Sequence, residues 1–319
     1  MSQYLIRRVL IAIPTIFGIT VLIFLAMRVL PGDPIAVISS ETSGTFVLSP
    51  EQVAAARASL GLDKPYYVQY LQWMGDVAQG NLGESFWTRE HIVDLILRRG
   101  PITAEIAIIA MVVSWILGVP AGIISAVNRD TWLDFFSRGL ITVFLAIPSF
   151  WIGLIVVLIG VIMFDWRPPL TISYPWTDPI RNLEMVVGPG LALGVGLAAA
   201  TARLVRSTVL EVMNDDYVRT ARAKGLAEQS VLWGHVLKNA MLPVITFSGL
   251  AFSGLLGGTV ATETAFGVPG LGTLLVQGLN SRDWMLVQNM VLLFGLIVTV
   301  TNLLVDLSYG WFDPRIRYQ

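Results

Sequence analysis

Six long apolar segments, separated by polar stretches, dominate the pattern of hydrophobic and polar positions along the chain. A helix needs about 20 apolar residues to cross the ~30 Å of hydrocarbon in a bilayer, and each segment has about that length. The predicted spans are Val9–Leu30, Ile102–Val127, Phe135–Phe164, Val186–Leu204, Val244–Thr262 and Asn289–Tyr309. The pattern therefore predicts an all-α integral membrane protein with six transmembrane helices.

Proline and small residues add detail to these spans. Pro148, inside the third span, predicts a kink in a continuous helix. In the fourth and fifth spans small residues recur at every fourth position, which favours close packing between helices. In the fourth span these residues are Gly190, Gly194, Ala198 and Ala202, and in the fifth they are Gly249, Ser253, Gly257 and Ala261. The first span is too long for a cleaved signal peptide, so we expect it to be retained.

A mixed polar segment, residues 31–100, separates the first two spans. Its aromatic residues and helical periodicity predict a small folded insert on the external side rather than a flexible linker. Two helices are predicted in it, Val53–Leu60 and Tyr66–Gln79. Interfacial anchoring or packing is favoured over ligand binding as the role of the aromatic residues.

The longest charged stretch on the side of the membrane rich in Lys and Arg is Arg203–Pro243. It predicts a short helix over Tyr217–Lys224, which Asn214 or Asp215 can cap. Gly225 can then adopt the left-handed conformation that ends a helix. The local prediction is therefore a short helix followed by a sharp glycine turn, outside the bilayer.

A second helix is predicted to follow this turn, from about Ser230 to Met241, and Pro243 then opens the fifth span as a residue of its first turn. An ordinary basic loop that only fixes the topology is the alternative, and charge alone would favour it. The ordered helix–glycine–helix pattern favours instead a cytoplasmic loop, residues 206–241, with a function of its own.

The distribution of basic residues orients the predicted spans. Six spans place both ends of the chain on one side, and Lys and Arg concentrate on the cytoplasmic side of membrane proteins. The basic residues on the side of both termini are Arg7, Arg8, Arg129, Arg138, Arg203, Arg206, Arg219, Arg222, Lys224, Lys238, Arg315 and Arg317. We therefore expect both termini in the cytoplasm and the insert outside, where Arg98 and Arg99 are exceptions.

Composition then excludes several kinds of chemistry. The chain is 55% hydrophobic and 13% charged, about half the charged share of a soluble protein. A net charge of −1 gives no overall basic field for nucleic acid. The absence of cysteine excludes disulfides and thiolate metal ligands, and two distant histidines predict no metal site. The sequence has no Gly-x-x-x-x-Gly-Lys-Ser/Thr loop, so we expect no ATP or other cofactor on this chain.

The segment 263–287, between the last two spans, contains four glycines and a proline. This content predicts irregular backbone at the outer end of a span, and a structural loop at the mouth of a pathway is favoured over a plain external turn. Glu263, Phe266 and Pro269 in this segment, with Glu105 in the second span, are candidates for lining a polar passage.

A secondary carrier or channel and a membrane-embedded enzyme are the rival classes. A carrier driven by ions usually needs ionisable residues deep in the membrane. Here such residues lie near the ends of the predicted spans, and they are Arg28, Glu105, Arg138, Glu263 and Asp306. Arg28, Arg138 and Asp306 are interpreted as interfacial residues whose charged ends reach water. A membrane-embedded enzyme would need a polar catalytic cluster, and none is visible in the sequence.

The charged loop resembles the coupling loop of binding-protein-dependent ABC importer permeases, which reads Glu-Ala-Ala, three residues, Gly, and later Leu-Pro. Arg219-Thr220-Ala221 stands where Glu-Ala-Ala is usual, followed by Gly225 and Leu242-Pro243. Two departures, the missing Glu and the longer spacing between Gly and Leu-Pro, resemble the oligopeptide and dipeptide subgroup. That subgroup has the run Asp-Tyr-Val-Arg-Thr-Ala-Arg-Ala-Lys-Gly-Leu. The run Glu-Thr-x-Phe-x-x-Pro-Gly-Leu-Gly from Glu263 resembles that subgroup too.

This resemblance implies a membrane-spanning importer subunit in the bacterial cytoplasmic (inner) membrane, surrounded by lipid and without catalytic activity of its own. It implies a second, similar permease, two cytoplasmic ATPases that bind ATP and Mg, and an external binding protein that delivers peptides. Nickel, its chelates or glutathione are the alternative substrates. The residues implied to contact the ATPases are Tyr217, Arg219, Thr220, Ala221, Arg222, Lys224 and Gly225.

Overall fold

The computed structural model describes residues 2–29, 51, 63–167, 169 and 171–312, and within them the chain is helical with one isolated β-bridge. The helices are α1 (Ser2–Val29), α2 (Tyr66–Ala78), α3 (Ile92–Val113), α4 (Val119–Val127), α5 (Trp132–Ala146), α6 (Ser149–Phe164), α7 (Pro179–Met213), α8 (Asp216–Ala223), α9 (Glu228–Val231), α10 (Leu237–Phe266), α11 (Leu271–Asn280) and α12 (Trp284–Phe312). Two π-helical turns, Ser114–Gly118 and Leu232–Val236, join α3 to α4 and α9 to α10 as continuous helical runs.

Five helical runs in the described part are long and apolar enough to cross a membrane. They are Leu10–Val29, Ile92–Val127, Pro179–Met213, Glu228–Leu255 and Trp284–Val305. Helices α5 and α6 pass the same test only as a pair, bent by 92°. The all-α membrane fold predicted from the sequence is therefore confirmed, with five candidate spans, or six when the bent pair is counted as one span.

The helix of the second span begins at Ile92, ten residues before the predicted start at Ile102. Ile92 and Leu95 are buried against apolar residues of α11 and α12, so the apolar face of the helix continues beyond the predicted span. Pro101 lies inside this helix without ending it. The last nine residues of the segment 31–100 therefore extend a membrane helix.

The third span is broken at Pro148, where the sequence predicted only a kink. Helix α5 ends at Ala146, and Ile147 has extended backbone with φ −89° and ψ 123°. A proline disfavours helical backbone at the residue before it, because the proline ring clashes with that residue. Ser149 then starts α6 in a new direction, and the chain turns by 92°.

The helix boundary predicted at Pro243 is wrong, because here the structure has a continuous helix where the sequence suggested two. Pro243 lies inside α10, so the predicted helix from Ser230 to Met241 and the fifth span form one continuous run from Glu228. Ala240 and Val244, on either side of the proline, are both buried in one apolar cluster. Packing of these neighbours stabilises the helix through a residue that the sequence suggested as a boundary.

The longest helix, α7, is the centre of the bundle and packs against α3, α4, α5, α6 and α10. Small residues permit these approaches, as the sequence predicted for the fourth span. A Cβ at Gly190 would lie 2.5 Å from Cγ2 of Ile109, and one at Gly194 would lie 2.6 Å from Cβ of Val113. On α10 the same spacing is only partly used, since a Cβ at Gly257 would meet no atom within 4 Å.

The described part of the insert between the first two spans is anchored to the first and last spans. Helix α2 confirms the predicted helix over Tyr66–Gln79, and its Tyr70 hydroxyl lies 2.8 Å from the Thr20 hydroxyl of α1. Trp73 donates a hydrogen bond to Asn289 of α12. The predicted helix Val53–Leu60 falls outside the described residues. Tyr70 and Trp73 therefore pack against the bundle, whereas Tyr66 and Tyr67 of the same helix are exposed.

Candidate functional site

The charged loop forms the short amphipathic helix α8, Asp216–Ala223. Asp215 occupies its N-cap position but makes no side-chain cap hydrogen bond, whereas Asn214 ends α7 and donates to the Leu210 carbonyl. Helix α8 ends at Ala223 with Lys224 as its C-cap, and Gly225 follows with φ +79°. The left-handed glycine predicted at this position is confirmed.

One face of α8 is anchored to the long helices. Val218 and Ala221 are buried, and they pack into an apolar cluster with residues of α4, α7, α9 and α10. The buried members of this cluster are Ala126, Val205, Val209, Val218, Ala221, Val231, Val236, Leu237, Ala240 and Val244. Because these residues of several helices are closely packed together, α8 is held firmly against the long helices.

Arg222 and Tyr217, two of the predicted contact residues, bind within the chain. The Arg222 guanidinium donates to the Glu228 carboxylate at 2.6 and 3.1 Å and to the Met213 carbonyl at 3.3 Å, which joins α7, α8 and α9. The Tyr217 hydroxyl accepts a hydrogen bond of 2.7 Å from the Asn239 side chain. These bonds fix the orientation of α8 on the bundle.

Ala221, which also belongs to the predicted contact set, is buried on the inner face of α8, so its predicted exposure to the ATPases is wrong. The other predicted contact residues lie on the outer side of α8 or directly after it. Arg219, Thr220 and Lys224 are exposed, and within the described part of the chain Arg219 makes only a long ion pair of 3.5 Å with the exposed Asp216. Exposed apolar residues follow in the same loop, and these are Leu226 and Trp233, which is 68% exposed. Arginine and tryptophan are enriched at protein interfaces, so this end of the bundle has the composition of a docking surface.

At the opposite end, the Glu263 carboxylate lies at the amino-terminal end of α11. One oxygen accepts a hydrogen bond of 2.7 Å from the Thr103 hydroxyl, and the other accepts one of 3.0 Å from the Thr273 N–H. Thr103 in turn accepts from the Leu271 N–H at 2.8 Å. The carboxylate therefore satisfies and electrostatically favours the start of α11, and it ties α3, α10 and α11 together.

The glycines of this segment leave room for that carboxylate and for Phe266. A Cβ at Gly270 or at Gly272 would clash with the Glu263 side chain. The Phe266 ring, 2% exposed, lies against Gly153 and Gly188, where a side chain would meet it. Packing within the chain thus accounts for most of the run that begins at Glu263.

Most of the segment 263–287 is helical, so the irregular backbone predicted for it is confined to two short turns around α11. Glu263 and Phe266 are buried inside the chain, while Glu105 and Pro269 are half-buried. Glu105 accepts a hydrogen bond of 2.7 Å from the Asn182 side chain. These contacts are structural, and the participation of the four residues in a passage stays a prediction.

Two family models match nearly the whole sequence. Residues 118–318 match the binding-protein-dependent transport system inner membrane component, and residues 1–107 match the amino-terminal part of such membrane components. Proteins of this class are non-catalytic membrane subunits of ABC importers, and they work with ATPases and other subunits. Membership in this class and the several apolar helices both indicate a multi-pass protein of the inner membrane.

Full-length relatives refine this class. The chain is 39% identical to the di/tripeptide transport system permease protein DppB of Pseudomonas aeruginosa and 36% identical to the dipeptide transport system permease protein DppB of Escherichia coli K12, with 100% of each chain covered. A putative peptide transport system permease protein of Brucella abortus is 38% identical, again over both full chains. The chain belongs to the binding-protein-dependent ABC importer permeases, in their dipeptide and oligopeptide branch.

Solved structures agree on the fold. The methionine ABC transporter MetNI, in inward-facing conformations, matches with a TM-score of 0.58 at 17% identity, over 69% of this chain and 96% of the other. An amino acid ABC transporter solved with histidines matches with a TM-score of 0.55 at 13% identity, over 75% and 98%. At these identities the likeness concerns the arrangement of helices alone.

Proposed function

We propose that this chain and a second, similar permease form the passage through which dipeptides and oligopeptides enter the cell, driven by two cytoplasmic ATPases and supplied by an external binding protein. The observation that carries the proposal is the full-length similarity to permeases whose names specify di- and tripeptides. Nickel chelates and glutathione are the competing substrates within the same class.

We further propose that α8 is the element that the ATPases grip. Its outer face presents Arg219, Thr220 and Lys224 to solvent, and its inner face is fixed by Val218 and Ala221. A short helix that is exposed on one side and held by several spans on the other can transmit motion in both directions. The left-handed Gly225 follows α8 directly, and α9 and α10 come after this turn.

The proposed function predicts that uptake requires the whole complex. Proteoliposomes that contain this chain, its permease partner, both ATPases and ATP should accumulate a labelled dipeptide when the binding protein is present. Vesicles with this chain alone should show neither ATP hydrolysis nor accumulation under an ion gradient. Uptake of nickel chelates or glutathione instead of peptides would change the substrate, and accumulation by the chain alone would favour a carrier.

The proposed orientation places both termini and the loop of residues 206–241 in the cytoplasm and α11 outside. Because the chain has no cysteine, single cysteines report on each side without background. A membrane-impermeant thiol reagent should label Ser281→Cys in intact cells and should leave Ala227→Cys unlabelled until the cells are opened. Labelling of Ala227→Cys in sealed cells would reverse the topology and remove the proposed contact between α8 and the ATPases.

A further inference from the structure

A groove of about 620 Å³ opens between α1 and α10, with α12 between them. Helix α1 packs against α12, and α12 packs against α10, so α12 forms its floor. Most of the lining is apolar, but the cation Arg8 and four uncharged polar side chains also belong to it. The four uncharged residues are Thr15, Ser253, Thr299 and Asn302. We name this space the central groove.

The polar residues of the central groove lie deep in the membrane. Thr15 is near the middle of the helix Ser2–Val29, and Ser253 is near the middle of Leu237–Phe266. Thr299 is likewise near the middle of the helix Trp284–Phe312. The middle of a membrane-spanning helix lies near the centre of the hydrocarbon layer, so the central groove lies where water and polar headgroups are normally excluded.

The central groove offers unused hydrogen-bonding capacity at that depth. The Ser253 hydroxyl donates to the Asn302 side-chain oxygen at 3.1 Å, and among the described residues the amide nitrogen of Asn302 has no hydrogen-bond partner. The Thr15 and Thr299 hydroxyls donate to carbonyls of their own helices and keep free lone pairs. Polar groups without partners are costly in hydrocarbon, so acyl chains are an unfavourable occupant.

Glycine gives the central groove its width. A Cβ at Gly254 or Gly257 would meet no atom within 4 Å, whereas one at Gly249, nearer the cytoplasmic end of the same helix, would lie 2.3 Å from Cγ2 of Val305. Its volume is within the range of about 300–1,000 Å³ that is typical of sites for small molecules. A peptide of two or three residues, with a polar backbone and variable side chains, fits such a mixed lining.

We propose that the central groove is a subsite of the translocation pathway that binds the backbone of the peptide in transit. Asn302 and Ser253 exchange hydrogen bonds with peptide amides, and the apolar walls accept side chains without selecting among them. This assignment deepens the proposed function and rests on it. Since no lining residue carries a negative charge, recognition of the peptide here does not depend on a bound ammonium group.

A matched pair of glycine variants tests the assignment in the assembled complex. Gly257→Leu fills the central groove, while Gly258→Leu adds the same side chain one residue further along α10, where there is also open space but no part of the lining. Gly257→Leu should lower tripeptide uptake more than dipeptide uptake, and Gly258→Leu should change neither. Asn302→Leu should lower uptake of both about five- to tenfold, the loss expected for one or two hydrogen bonds.

Single cysteines then identify the occupant. Gly254→Cys in the complete transporter should react with a small hydrophilic thiol reagent, and a transported dipeptide should slow that reaction in the presence of the binding protein and ATP. Failure to react would mean that lipid fills the central groove. A crosslink from Gly254→Cys to the second permease would mean that a helix of that subunit fills it. Either result overturns the assignment.

A wrong function and a wrong subsite give different experimental results. If the proposed function is wrong, the unaltered complex does not accumulate peptides at all. If only the subsite is wrong, the unaltered complex accumulates them and Gly257→Leu does so equally well.

Discussion

Gly225→Val is expected to remove most transport while leaving the chain in the membrane at normal abundance. Gly225 has φ +79°, and a Cβ there would meet no atom within 4 Å, so the cost is backbone strain of roughly 1–2 kcal/mol rather than a clash. That strain is too small to unfold a packed bundle, but it changes the angle at which α8 leaves it. Membrane abundance, peptide uptake and ATP hydrolysis by the complex measure the effect, and both activities should fall together.

Two variants separate strain from other effects of a larger side chain. Gly225→Asn should keep most activity, because asparagine tolerates left-handed backbone. Gly234→Ala should be silent, because Gly234 lies in a helical turn of the same loop, without positive φ, and a Cβ there would meet no atom within 4 Å. If the loop only fixes the topology, Gly225→Val transports like the unaltered protein, and that outcome would exclude a coupling role for this turn.

The order of the long apolar helices was predictable, because an apolar run long enough to span a bilayer has few other stable structures. Their ends were not. Ile92 extends a helix because α11 and α12 cover it, and Pro243 stays within one because its neighbours are packed. Pro148 breaks a helix that composition alone would continue. Proline was therefore a guide to possible breaks, and tertiary packing decided between them.

The candidate site was predictable where local backbone determines it, as at Gly225. The site was not predictable where a residue distant in sequence determines the orientation of a side chain. Arg222 belongs to the predicted contact set by position, but the Glu228 carboxylate turns it toward its own chain. Asn302 was not predicted, because it is uncharged and the candidates within the spans were ionisable residues. An uncharged amide in the middle of the sixth span was the available signal.

A buried ion pair holds the bundle together at the end that carries α8. Asp134, fully buried at the start of α5, accepts two hydrogen bonds of 2.9 Å from the Arg206 guanidinium of α7. It also accepts from the Ser125 hydroxyl of α4 at 2.6 Å and from the Asp130 N–H at 3.1 Å. Three helices therefore meet at one carboxylate.

Asp134→Ala is expected to destabilise the protein more than any substitution on the outer face of α8. Removing one partner of a buried ion pair leaves the other charge uncompensated, which costs about 3–5 kcal/mol. Because the Arg206 side chain is 20% exposed, we expect about 3 kcal/mol, the lower end of that range. The amount of chain in the membrane and the temperature at which the purified complex loses its structure should both fall.

A double variant tests whether the loss of stability in Asp134→Ala comes from the uncompensated charge of Arg206. Replacing both partners by apolar residues, as in Asp134→Leu with Arg206→Met, removes the uncompensated charge and should restore much of the abundance lost in Asp134→Ala. Arg138→Gln is the matched control, since the Arg138 guanidinium is 3.7 Å from the same carboxylate and 43% exposed, and exposed pairs contribute little. If Arg138→Gln is as damaging as Asp134→Ala, the local charge balance around the carboxylate matters more than the link to α7. If the double variant is no better than Asp134→Ala, the carboxylate acts through Ser125 and the turn before α5, and the stabilising contact lies between α4 and α5.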